Sequence, residues 1–181
     1  ERQPLEGTTD AMLGFPYLRK AHCMFGWDWG PRLPDAGIWR DIELIGIETA
    51  RLRDVSVLQD HEEDRVTLNV LSRTEHVTEG ETRISVTVTA PDGQTFTAEG
   101  ADCSLMIDHP QRWWPVGYGD QPLYTVEVTL SDGDHILDTW KKRVGLRTMT
   151  VRREKDQWGE SFCHCVNGVD VFAMGADYIP E

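Results

Sequence analysis

No uninterrupted apolar run in these 181 residues approaches the roughly 18 needed to cross a bilayer as a helix, and no basic-then-apolar leader opens the chain. No lysine/arginine stripe interrupts the acidity either: 18 basic residues face 31 acidic ones, leaving a net charge of −13. Such a surface repels phosphate backbones and anionic lipid, which excludes nucleic acid and membrane as expected partners and favours a neutral or cationic ligand. The four cysteines, Cys23, Cys103, Cys163 and Cys165, are too few and too scattered to form a disulfide framework. They favour a reducing compartment, cytoplasmic over periplasmic or secreted, without settling the compartment. The chain opens at Glu1 rather than Met, so it is expected to belong to something longer.

A sustained helical period is also missing, and period-2 alternation stands in its place. Val66, Leu68 and Val70 share one face, as do Ile84, Val86 and Val88, and again Tyr124, Val126 and Val128. Asp92-Gly93, Asp132-Gly133 and Asn167-Gly168 lie between such segments, and these dipeptides accept the positive φ that tight hairpins require. Short strands about ten residues apart predict an all-β chain built on an antiparallel, immunoglobulin-like β-sandwich over residues 49–147. Residues 1–48 read as loop followed by one strong strand, "GIWRDIELIGI", closing a preceding domain. Residues 148–181 read as two or three strands opening another. The acidic run "QDHEEDR", residues 59–65, reads as a solvated strand connection.

Chemistry concentrates in "FGWDWGPRLP", residues 25–34, where Trp27, Asp28 and Trp29 sit between glycine and proline. A sugar has an apolar C–H face and a rim of hydroxyls, so an aromatic platform beside a carboxylate suits it. The competing readings are a core or interdomain anchor for each tryptophan and a turn cap for Asp28. Trp113 and Trp114, followed by Pro115 and a Gly117-Tyr118-Gly119 turn, read as a sandwich edge packed on a neighbouring domain. In "CHC", alternation along a strand puts Cys163 and Cys165 on one side and His164 on the other, so the three cannot share an ion. No metal site and no cofactor is expected. No G-x-S-x-G elbow or comparable nucleophile signature occurs.

Taken in order, "LRKAHCMFGWDWGPRLPDAGIWRDIELI", "RWWPVGYGDQPLYTVEV", "KKRVGLRT" and "VNGVDVFAMGADYIPE" resemble glycoside hydrolase family 2, within it the β-mannosidase branch. The resemblance implies a jelly-roll, galactose-binding-like domain ending at residue 48, a sandwich over 49–147, and the beginning of a (β/α)₈ catalytic barrel from 148. It implies a retaining exo-β-glycosidase whose two catalytic glutamates lie in barrel strands beyond Glu181, so no catalytic residue is expected in this chain. It further implies that Asp28 binds sugar hydroxyls with Trp27 as a flanking wall, and that Asp177 and Tyr178, closing the first barrel strand, face the substrate. The family's commoner pattern has Asn-Trp where this chain has Asp177-Tyr178. The implied partners are a terminal β-mannoside or related β-glycoside and the barrel of the same polypeptide. A non-catalytic carbohydrate-binding or adhesin-like sandwich is the alternative reading.

Overall fold

The computed structural model describes residues 17–26, 32–33, 36–38 and 40–178. Ile45–Ala173 form one compact unit, and the remaining described residues belong to a second. No α-helix occurs among the described residues, and none of their helices is long and apolar enough to cross a membrane.

The larger unit is a β-sandwich with a small third sheet. Its strands are β1 (Ala50–His61), β2 (Arg65–His76), β3 (Arg83–Thr89), β4 (Thr95–Glu99), β5 (Asp102–Asp108), β6 (Tyr124–Asp132) and β7 (His135–Val144). One sheet runs β1-β2-β5 and the other β4-β3-β6-β7, with every neighbour antiparallel. The fourth strand therefore joins the sheet of the third, sixth and seventh. In the constant-type immunoglobulin arrangement it would complete the first sheet instead.

The three apolar faces read from alternation all point inward. Val66, Leu68, Val70, Val86, Val88, Val126 and Val128 are fully buried, and Ile84 and Tyr124 nearly so, in one cluster with Leu105, Ile107 and Leu130. Register explains how the faces meet: Leu68 stands opposite Leu105, Val66 opposite Ile107, Val86 opposite Val128, and Val88 opposite Val126. Each such pair stabilises the sheet by a few tenths of a kcal/mol to about 1 kcal/mol relative to an Ala–Ala pair. Tyr124 opens β6 inside the core, and its Oη accepts a hydrogen bond from the Gln111 N–H at 2.9 Å, fixing the chain between β5 and β6.

Two hairpins follow the expected dipeptides and one is displaced. Asp92 caps its turn by accepting the Gln94 N–H, and Gly93 takes φ +91°. Asn167 and Gly168 both have positive φ, 51° and 80°, between paired Val166 and Val169, which is the type I′ geometry. At the third, Asp132 remains on the ladder opposite His135, so the two loop residues are Gly133 and Asp134. Gly133 alone carries the positive φ, as a II′-type turn requires.

Two irregularities set the sandwich edge. The β1–β2 register skips Arg53, and the β6–β7 register skips Leu137, leaving one unpaired residue in β1 and one in β7. Beside the second bulge, Asp138 Oδ2 accepts the Leu52 N–H of β1 at 2.8 Å, tying the two sheets together across their open side. Bulges redirect side chains in this way at sheet edges.

In the acidic run, Glu62, Glu63 and Asp64 form the exposed β1–β2 connection, as expected, while Gln59 and Arg65 lie within ladders. His61 ends β1 with Nε2 3.0 Å from Gln59 Oε1 and a buried, unpartnered Nδ1. Burial lowers its pKa, nearby Arg112 lowers it further, and Asp60 opposes them. A folded pKa below the ordinary value means that the unfolded chain binds the extra proton. The contribution is therefore complete above about pH 6.5 and is lost as pH falls through the folded value. Urea midpoints measured near pH 8 and about pH 5.5 should fall on acidification, and His61→Gln should flatten that fall. An unchanged slope in the variant would assign the acid sensitivity elsewhere.

The third sheet contains β8 (Met149–Arg152), β9 (Cys163–Val166) and β10 (Val169–Val171), in order β10-β9-β8 and antiparallel. It agrees with the two or three strands expected after residue 147. It is held to the sandwich by Asn167 Nδ2 donating to the Trp113 carbonyl at 3.0 Å and by the Phe172 N–H donating to Tyr118 Oη at 2.9 Å.

One expected strand is not formed among the described residues. The described part of "GIWRDIELIGI", residues 37–38 and 40–47, forms no ladder, and Ile38, Ile42, Leu44 and Ile45 are exposed. Alternation makes a segment fit to be a strand, but hydrogen-bonded neighbours make it one, and no described segment pairs with it.

Candidate functional site

Trp27 and Asp28 lie outside the described residues, as does Trp29, but the chain on either side of them is described. His22–Phe25 form one 3₁₀ turn and Gly26 follows at φ +108°. A Cβ at Gly26 would stand 2.4 Å from Arg32 Cγ, so only glycine admits this approach. Gly26 and Arg32 thus lie against each other. Phe25 beside them is buried, with the Lys20 ammonium 5.8 Å from its ring centre.

Asp177 and Tyr178 are both exposed, Tyr178 to 84%. Residues 172–178 pair with no strand among the described residues, so β10 ends at Val171, short of the position expected to close a barrel strand. A barrel strand is held by parallel neighbours on both sides, and no described segment stands in that role. Neither residue is brought together with a partner side chain.

The second tryptophan pair is built into the scaffold. Trp113 donates its backbone N–H to the Leu146 carbonyl at 2.9 Å, its ring lies against Gly145, and the Arg147 guanidinium sits 4.6 Å from the ring centre. Trp114 packs its ring against Gly119 and donates its backbone N–H to the Asp120 carbonyl at 2.9 Å. These contacts make the pair a buttress where β7 leaves the sandwich, and every partner named belongs to the same compact unit rather than to a neighbouring domain. Gly145-Leu146-Arg147 is the "GLR" of the sequence, and its glycine gives the indole room.

The alternation expected for "CHC" is present. Cys165 is buried on one side of β9 with Cys163, while His164 is directed elsewhere, its ring edge-on to Phe162 at 5.4 Å between centres. Sequence reading overlooked Asp170, which the ladder sets opposite Cys165. The available signal was Asn167-Gly168: a two-residue hairpin loop there forces that pairing.

Comparison with known proteins agrees with this architecture. The family model described as glycosyl hydrolases family 2 matches residues 50–147, and that described as glycosyl hydrolase 2 galactose-binding domain-like matches residues 2–40. Beta-mannosidase B of Neosartorya fischeri is 38% identical over 175 residues, covering 90% of this chain and 20% of that protein. The Emericella nidulans beta-mannosidase B is 34% identical over 173 residues with the same coverage. This chain thus spans about a fifth of the length of the curated relatives it matches. Among solved structures, the beta-D-mannosidase of Dictyoglomus thermophilum superposes with a TM-score of 0.82 at 32% identity, over 90% of this chain and 21% of that one. The b-glucuronidase of Ruminococcus gnavus, at 19% identity and a TM-score of 0.56 over 70% of this chain and 19% of that one, shares the fold. With an antiparallel sandwich over the residues that the family model matches, this chain belongs to glycosyl hydrolases family 2.

Proposed function

We propose that the chain is a non-catalytic portion of a retaining exo-β-mannosidase that removes terminal β-linked mannose. The observation that carries this reading is 38% identity to a beta-mannosidase B along 90% of the chain, against 19% to a b-glucuronidase of the same fold. Residues 1–48 are the end of a jelly-roll, galactose-binding-like domain, 49–147 the immunoglobulin-like sandwich and 148–181 the opening of the (β/α)₈ barrel.

In a retaining mechanism one carboxylic acid protonates the leaving oxygen while a second carboxylate attacks the anomeric carbon, the pair standing about 5–5.5 Å apart. Both belong to the barrel beyond residue 181, and this chain supplies neither. Its part is recognition: Asp28 accepts hydrogen bonds from hydroxyls of the terminal sugar, Trp27 forms a wall beside it, and Asp177 and Tyr178 line the barrel mouth. Charge-assisted acceptors of this kind fix a hydroxyl's direction more strongly than neutral ones. Asp177 for the commoner Asn replaces an amide, which both donates and accepts, by a group that only accepts. Donors on the bound sugar are therefore favoured at that position.

The test is an assay of the complete gene product and of the 181-residue chain with aryl β-mannoside, β-galactoside and β-glucuronide. The complete product should turn over the mannoside best, and the short chain should match a buffer blank. Preference for another glycoside would overturn the mannosidase reading, and turnover by the short chain would overturn the domain division.

A further inference from the structure

We propose that Cys163, Cys165 and Asp170 form a binding site for a thiophilic divalent cation such as Zn²⁺ at the β9–β10 hairpin. Their ligand atoms all lie within 4.8 Å of one another, and the Cys165 Sγ is 2.8 Å from Asp170 Oδ1.

The placement follows from backbone geometry. Residues i and i+2 of a strand share a face, which puts both sulfurs on one side of β9. The type I′ turn at Asn167-Gly168 fixes the register, and the register sets Asp170 opposite Cys165. No disulfide consumes either thiol. Three converging ligands from one tight hairpin need little ordering to bind an ion.

Two thiolates and a carboxylate are a ligand set that zinc accepts, with Zn–S about 2.3 Å and Zn–O about 2.0–2.2 Å. Tetrahedral bonding at those lengths places ligand atoms roughly 3.5–3.8 Å apart, so small side-chain rotations bring the present group into range. The fourth position faces outward, because Cys163 is half-buried and Asp170 lies at the surface, and it is left for water or an exogenous ligand. Arg152, on β8, donates to Asp170 Oδ2, which orients the carboxylate and leaves Oδ1 toward the sulfur. Outer partners of this kind commonly tune a metal ligand. With both thiols ionised, the ligand set carries three negative charges, which the cation and Arg152 together neutralise.

The experiment uses the complete protein, titrated with Cd²⁺ while following thiolate-to-metal charge-transfer absorption, together with Zn²⁺ protection of individual cysteines from alkylation read by peptide mass spectrometry. Occupation should slow alkylation of Cys163 at least roughly tenfold while leaving Cys103 unaffected. Cys163→Ser and Cys165→Ser should each remove the absorption increment, Asp170→Asn should weaken Cd²⁺ binding roughly tenfold, and Cys103→Ser should retain both. Unchanged alkylation of wild-type Cys163 at saturating Zn²⁺ would overturn the proposal whatever the variants do. So would a full Cd²⁺ signal in folded Cys163→Ser protein.

Discussion

Replacing Leu68 by alanine is expected to destabilise the sandwich by about 2–5 kcal/mol, the largest effect of any single substitution considered for this chain. Leu68 has no exposed surface, faces Leu105 across the β2–β5 ladder, and lies in the cluster that both sheets share. Truncation removes its transfer free energy and leaves a cavity that close-packed strands on both sides cannot collapse to fill. For a domain of this size the loss lowers Tm by about 8 °C or more. Leu58 is the matched control: it occupies the neighbouring strand β1 but is 54% exposed, so Leu58→Ala should change stability by about 0.5 kcal/mol or less. Chemical denaturation of both variants decides the point. Equal losses would mean that Leu58 is covered and that the sandwich buries its faces differently.

The second large effect belongs to Asp28 and is read in the complete enzyme, where the proposed sugar subsite is whole. Asp28→Asn preserves shape and removes charge. A hydrogen bond to a charged group is worth roughly 1.5–3 kcal/mol, so kcat/KM should fall about ten- to 150-fold. The melting temperature should hardly move, because the bonds lost are those made to the bound sugar and not bonds within the fold. If Asp28 is a turn cap, the pattern inverts: Tm falls while kcat/KM stays near wild type. Measuring both on one preparation separates the two roles, and wild-type kinetics would remove Asp28 from the sugar site.

These two expectations differ in what supports them. Leu68 was visible from alternation, since Val66, Leu68 and Val70 repeat at a period of two, and the structure places all three in the core. Asp28 was visible through the chemistry of its neighbours, Trp27 and Trp29, and through a family motif; it lies outside the described residues. What the structure adds is the close approach of Gly26 to Arg32, which no residue pattern announces. Asp177 and Tyr178 were legible through the motif alone, and their exposed, unpaired segment adds no partner to either.

Strand faces and most turn positions were determined by the sequence itself, because both are local properties. Alternation follows from the pleat, and Asn167-Gly168 closes a hairpin because glycine and asparagine tolerate positive φ. Only tertiary structure decided that β4 pairs with β3 on the four-stranded sheet, that the ladders skip Arg53 and Leu137, and that "GIWRDIELIGI" forms no ladder among the described residues. It likewise decided that Trp113 is gripped by Gly145 and Arg147, and that Asp170 meets Cys165 with Cys163 alongside. Each of these is a choice of partner between segments separated along the chain. A residue's own φ, ψ and hydrophobicity record which way it faces, but the partner it meets depends on which distant strand supplies the matching hydrogen bonds and apolar face.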